Sequence, residues 1–164
     1  MSVPAIVSLE AVKAELAAVA EYATAAGLPL DISTLSGESL RFYVTLQNMD
    51  AEQFVVEIDC TDYPMYPPTI EFSNALPTQV ERERRQRPEN RGLPKLYPSC
   101  FHPMPCVCMR YNRKAYVALG GPHNDWRMVD WQLPTAHGIA IDTLALIVSD
   151  LHSKVATSRG RLGS

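Results

Sequence analysis

No apolar run in this chain of 164 residues approaches the roughly 18 residues that a membrane-spanning helix needs. The first residues, Met1 to Ser8, place no basic residue ahead of their apolar stretch, which argues against a secretory signal. A large excess of charge is missing too. The net charge is −3, so no field across the whole protein would hold it to nucleic acid. Cysteines are few: Cys60, Cys100, Cys106 and Cys108, with no even framework spacing. A disulfide-stapled secreted domain is therefore not expected, and reduced thiols in a cytoplasm are. Internal repeats and low-complexity domains are lacking as well. What remains is an ordinary globular mix, 46% hydrophobic and 20% charged, that fills one core in one domain.

The hydrophobic pattern predicts a helix from about Ser8 to Ala26. Leu9, Val12, Leu16, Val19 and Tyr22 recur at steps of three and four, which puts them on one face. Alanines between them favour helix, Ser8 is the candidate cap, and Gly27 with Pro29 ends the segment. Leu40 to Leu46 and Phe54 to Ile58 are strand-formers separated by a polar turn with Asn48, Met49 and Asp50, which predicts an antiparallel hairpin. A third strand, Thr69 to Phe72, follows Pro64, Pro67 and Pro68, which cannot lie inside a central strand and so form a rigid connection.

From Asn74 to about Phe101 no period is visible. The mixed charges of Glu81 to Arg87, with Arg91 behind them, read as a solvated loop or short helix, or else as a docking surface for an acidic partner. Pro103 and Pro105 keep the next segment extended, and Cys106 to Tyr111 reads as a short strand or a tight loop. Tyr116 to Trp131 reads as loop, punctuated by Gly120, Gly121 and Pro122. A second helix is predicted from about Thr135, its candidate cap, to Val155. Its stripe is Ile139, Thr143, Ile147 and Leu151, with Leu144 and Val148. The tail from Ala156, rich in Ser, Gly and Arg, is expected to fray, leaving a core of about residues 8–155. Runs of one element type followed by the other favour an α+β fold: an antiparallel meander sheet flanked by an N-terminal helix and a long C-terminal helix.

Three motifs resemble the ubiquitin-conjugating (UBC-like) family. The first is Phe54 to Ile58 followed by Asp62-Tyr63-Pro64-Met65-Tyr66-Pro67-Pro68-Thr69-Ile70-Glu71-Phe72: a strand, Tyr-Pro, a short spacer, Pro-Pro, and a strand ending in Phe. The second is His102-Pro103 ahead of Val107-Cys108-Met109, similar to the family's histidine triplet and its active-site cysteine between aliphatic residues. The third is Trp131 with Pro134 before the last helix. Together they span about residues 8 to 155. There are departures. Met104 stands where the family has the Asn that steadies the oxyanion. Cys108 is closer to His102 than usual, Arg110 replaces the Asp that often follows the cysteine, and the stretch from Cys108 to Trp131 is long. In these respects the chain looks like the divergent members of bacterial ubiquitin-like operons, which are associated with defence.

The resemblance implies a transferase with Cys108 as nucleophile, Cys106 as its rival, and His102 as the residue that structures the active-site loop. It implies an activating enzyme, a ubiquitin-like protein and a protein target as partners, with the first helix as the docking face for the activating enzyme. No cofactor and no metal are implied, since ATP is used by the activating enzyme, and nucleic acid and membrane are not partners.

The residues themselves bear on this chemistry. A carrier needs a partly exposed thiol whose thiolate attacks another thioester. Arg110 and Arg113 flank Cys108, and positive charge favours thiolate. Cys106 and Cys108 point the same way if the segment is extended. Cys60, at a strand end, reads as core. Tyr63 reads as packing. Asn112, His123 and Asn124 are chemically able to donate to an oxyanion, and Asp125 or Asp130 to orient a lysine.

Two other readings stay open. Cys100, His102, Cys106 and Cys108 lie within nine residues and are all zinc-ligand types, although their Cys-x-His and Cys-x-Cys spacing would strain one tetrahedral site. A non-catalytic UBC or RWD-type binding module shares the Tyr-Pro turn. Met104 favours that reading, while Cys108 and Trp131 favour the enzyme.

Overall fold

The computed structural model describes residues 2–73, 94–96, 107–119, 126–134 and 140–161. The chain opens with helix α1 (Ala5–Ala26). Its stripe is Leu9, Val12, Val19 and Ala23, all buried, with Leu16 packed at the edge of the core. The helix begins three residues earlier than the sequence suggests. Ser8 lies inside it, and Pro4, in an extended conformation, takes the capping position with no side-chain bond. The end is as predicted. Gly27 is left-handed at φ +67°, Gly27 N–H donates to Thr24 O, and Leu28 N–H donates to Ala23 O at 2.7 Å. This closes the last turn at the one place where a residue without Cβ is needed.

Four strands follow in the order β1 (Leu30–Asp31), β2 (Arg41–Gln47), β3 (Gln53–Asp59) and β4 (Thr69–Ser73), each antiparallel to the next. β1 is too short for its pattern to be read from sequence. Register pairs Val44 with Val56 and Ile58 with Ile70, so Phe42, Val44, Leu46, Phe54, Val56, Ile58, Ile70 and Phe72 share the buried face. The β2–β3 turn is held by Asn48, whose side-chain carbonyl accepts from Asp50 N–H and Glu52 N–H. On the opposite face Arg41 pairs with Asp59 at 2.8 Å, and the Tyr43 hydroxyl donates to Glu57.

Two further helices are described: α2 (Arg113–Leu119) and α3 (Leu144–Ala156), with a 3-10 turn at Met128–Asp130 between them. Both helices correct the sequence reading. α2 runs from a stretch given no reading, Arg113 to Ala115, into the start of the Tyr116 to Trp131 stretch read as loop; it starts where the Asn112 side chain accepts from Lys114 N–H and ends just before Gly120. α3 begins at Leu144 rather than near Thr135, because Thr143 is extended and its hydroxyl accepts from Leu146 N–H. Residues 140–143 are not helical, while 135–139 lie outside the described residues. The stripe of α3 is Leu144, Ile147, Val148, Leu151 and Val155, all buried. α3 packs on β2, and α1 packs on α3. Glu15 meets Leu144 and Tyr22 meets His152, so the two helices run in the same direction.

The tail does not hang free through its first residues. Ser158 O accepts from Met49 N–H, Arg159 and Gly160 N–H bond Asp50, and Arg161 pairs with Glu52 while lying 4.3 Å from the centre of the Phe54 ring. Composition alone predicts fraying here; the acids of the hairpin tip give the two arginines partners.

Glu15 is the polar tie of this architecture. One carboxylate oxygen accepts from the Tyr63 hydroxyl, and the other accepts from Leu144 N–H at 2.7 Å, the first free donor of α3. Burial above all, and then the bond to Glu15 and its charge, raise the pKa of the Tyr63 phenol far above its usual range. A raised phenol stays neutral in the fold. Its contribution is complete below the ordinary value of about 10 and is lost as pH climbs past it. Tyr63→Phe is expected to cost about 2 kcal/mol near neutral pH. Urea unfolding from about pH 9 to about pH 11 should show a steeper loss of stability in the parent than in Tyr63→Phe. Parallel slopes would contradict this role for the hydroxyl.

Candidate functional site

The connection from β3 to β4 sets one wall of the site. It carries a cis Tyr63–Pro64 bond and Asp62 at φ +64°, a left-handed position that Asp tolerates. Asp62 accepts from Val3 N–H and pairs with Arg113 at 2.9 Å, and Arg113 lies 5.0 Å over the Tyr66 ring. Pro64 O accepts from the Trp131 indole N–H at 3.0 Å, and the Trp131 and Tyr63 rings touch at a centroid distance of 6.0 Å. Trp131 is 1% exposed. The Tyr-Pro turn and the Trp131 segment, 67 residues apart, are therefore one packed unit.

Cys108 sits on a turn that this unit helps to hold. Val107 is buried in the core and Met109 packs against it, leaving the Cys108 thiol half-buried between two anchored neighbours. Met109 N–H donates to Val107 O, and Asn112 N–H to Met109 O, which closes the turn. The Asn112 side chain, fully buried, clamps it to the sheet: its carbonyl accepts from Ile70 N–H at 2.9 Å, and its amide donates to Val107 O at 2.8 Å. Tyr111 ties the turn to α3 by donating to Asp150, which also pairs with Lys154. Arg110 reaches the other way. Its two terminal nitrogens donate to Leu133 O at 2.7 Å and Asp130 O at 2.8 Å, and its own carbonyl accepts from the Tyr116 hydroxyl.

The sequence candidates sort accordingly. Cys108 is where a partly accessible thiol is required. Cys60 is core, as predicted: it is fully buried, and burial, with the charges of Asp59 and Glu15, pushes its thiol well up, so it is poorly nucleophilic. Asn112 is a correction. Its amide is spent on the clamp and shut off from solvent, which removes it as an oxyanion donor. The Asp130 carboxylate is at the rim, 3.1 Å from Arg127. Arg113 is drawn to Asp62 rather than left beside the thiol. His102, Cys106, Cys100, Met104, His123, Asn124, Asp125 and the Arg82 to Arg91 stretch lie outside the described residues, and so does the four-residue zinc alternative apart from Cys108.

Glu15, Tyr111 and Asp62 were not singled out from sequence. Glu15 had a signal: it is an acid at the border of an apolar helical stripe, three residues after Val12 and four before Val19. Tyr111 and Asp62 had none, since their partners are distant in the chain.

Among family models, characterised proteins and solved structures, none matches this chain.

Asn112→Ala removes an acceptor from Ile70 N–H and a donor from Val107 O in a sealed site. It is expected to lower stability by about 3 kcal/mol. Urea denaturation measures this, and amide exchange at Ile70 should rise in the same variant. A loss below about 1 kcal/mol would mean the clamp is not what fixes the turn.

Proposed function

We propose that the chain is a UBC-like domain of the cytoplasm that carries a ubiquitin-like protein as a thioester on Cys108 and passes it to an amine. The observation that carries this reading is the setting of Cys108: a half-buried thiol on a turn clamped to the sheet by Asn112 and to α3 by Tyr111, beside a Trp131 seated on the Tyr-Pro turn. The α+β order of elements and the motifs at Tyr63 to Phe72 and Val107 to Met109 support it. The partners in this reading are an ATP-consuming activating enzyme, a ubiquitin-like protein and a protein target.

In the loading step the Cys108 thiolate attacks the carbonyl carbon of the thioester on the activating enzyme. A new C–S bond forms, the old one breaks, and the activating enzyme's thiolate leaves. In the transfer step the target amine attacks the same carbonyl, a C–N bond forms, Cys108 thiolate is expelled and the amine gives up a proton. A rigid turn suits both steps, because the sulfur must present one trajectory to two successive partners. His102 is assigned to ordering the loop, and Cys106 is the rival nucleophile.

The purified protein, incubated with a cognate activating enzyme, ubiquitin-like protein and ATP, should form a thiol-sensitive adduct on a non-reducing gel. Cys108→Ala should lose it, and Cys106→Ala and Cys60→Ala should keep it. Absence of any adduct, with one zinc per chain that is lost in Cys108→Ala and in Cys106→Ala, would replace this reading with a metal-stapled binding module.

A further inference from the structure

The main-chain groups of an antiparallel strand alternate between its two neighbours. Cys60 N–H donates to Leu40 O at 2.8 Å and Asn48 N–H donates to Glu52 O at 3.0 Å. The even-numbered residues of β2 therefore bond β3, and Tyr43, Thr45 and Gln47 turn their N–H and C=O groups the other way, toward β1. The chain before β1 does not satisfy them all. Thr45 N–H donates to Pro29 O at 2.9 Å, but proline has no N–H with which to return the bond, so Thr45 O goes without it. Gly27 and Leu28, which come next along this edge, bond back into α1 instead. Gln47 N–H and Gln47 O are left with no partner among the described residues.

This open edge borders a cavity of about 330 Å³ between β2 and the C-terminal ends of α1 and α3, with Ala26, Gly27, Thr45, Gln47, His152 and Ala156 on its walls. The volume is in the range of small-ligand sites. Space is open at Gly27, where nothing lies within 4 Å of an added Cβ. α1 and α3 run in the same direction, so both present the negative ends of their dipoles to the cavity. Nothing described offsets them. α1 has no basic residue in its last turn, Lys154 of α3 is paired with Asp150, and no Lys or Arg is on the walls. The last carbonyls of the two helices, Ala26 O and Ala156 O, accept no hydrogen bond from the described residues. The wall residue that titrates, His152, is tied to the Tyr22 hydroxyl through Nδ1 at 2.9 Å. The unpaired main-chain groups are thus mostly acceptors in a negative field, with Gln47 N–H as a donor among them.

We propose that this cavity binds an α-ammonium next to a neutral carbonyl, the chemistry of an amino-acid amide or of the first residue of a peptide. The ammonium supplies donors and positive charge to the helix ends and the β2 edge, and charge-assisted bonds of this kind are the stronger ones. The carbonyl accepts from Gln47 N–H. A carboxylate in its place would meet the negative helix ends. The cavity shares no wall residue with the Cys108 turn, so this site stands or falls apart from the proposed reaction.

The ¹⁵N-labelled protein, titrated at pH 7 with alaninamide and with trialaninamide, reports binding through the amide resonances of Gly27 and Gln47. Both ligands are expected to move these resonances saturably. Equal affinities would identify a free small molecule as the ligand, and a tighter trialaninamide a chain terminus. N-acetylalaninamide, which lacks the ammonium, and alanine, which carries a carboxylate, are each expected to bind at least about tenfold more weakly than alaninamide. Ala156→Phe fills the cavity and should abolish binding. Gln47→Pro removes the N–H that faces off the sheet, at a position where proline is tolerated, and should weaken alaninamide about three- to tenfold as read at Gly27. Near-ultraviolet circular dichroism establishes that each variant is folded, and the comparison of ligands uses the parent protein alone. No saturable movement with either amine, N-acetylalaninamide or alanine binding as tightly as alaninamide, or undiminished binding in a folded Ala156→Phe would each overturn the proposal.

Discussion

The Glu15 carboxylate joins three parts of the chain at one point: α1, the β3–β4 connection and the start of α3. It is an anion on the buried side of a helix, and an anion there is tolerated only if both oxygens find strong donors. They do: the Tyr63 phenol and the first N–H of α3. One of these donors belongs to the turn between β3 and β4, and the other to a helix 129 residues away. α1 is thereby fixed at mid-length against two elements at once. The positive end of α3 gains a charge that suits its dipole.

The Cys108 turn stands at the end of a series of contacts that starts there. Tyr63, pinned by Glu15, packs on Trp131, and Trp131 donates to Pro64 O. The backbone on either side of Trp131, at Asp130 and Leu133, accepts the Arg110 fork. Arg110 and Asn112 bracket Tyr111, which reaches α3. The thiol therefore rides on a segment whose donors and acceptors are committed to the sheet, to α3 and to the Trp131 segment. Such a segment holds one geometry, which a flexible loop would not supply and which the proposed carrier role would require.

Much of this was legible in the sequence, and what was not has identifiable physical causes. The steps from Leu9 to Val19, the strand-formers around the Asn48 turn and the prolines before Thr69 report local periodicity and backbone restriction, so the hairpin and the last strand stand where they are read, and the first helix does so at its end while starting three residues early. The start of α3 was misplaced because Ile139 and Thr143 continue its apolar spacing, while the capping bond to Leu146 N–H that ends the helix at Thr143 competes invisibly with that spacing. α2 was missed because Asn112 caps it from a position that the sequence offers equally as a polar loop residue. The tail was read as loose because Arg159 and Arg161 find Asp50 and Glu52 more than a hundred residues away. At the site the pattern pointed to Cys108 and correctly set Cys60 aside. It could not distinguish Arg110 from Arg113, since the difference is a carboxylate at Asp62 that only the fold brings near.

The claim on which the functional account turns is that Cys108 is an acyl acceptor. Mass spectrometry of the parent protein after loading reads this most directly, by digesting under non-reducing, mildly acidic conditions that spare thioesters and locating the C-terminal remnant of the ubiquitin-like protein. The account predicts the remnant on the Cys108 peptide, released by hydroxylamine. A remnant on Cys106 or Cys100, with Cys108 unmodified, would contradict it.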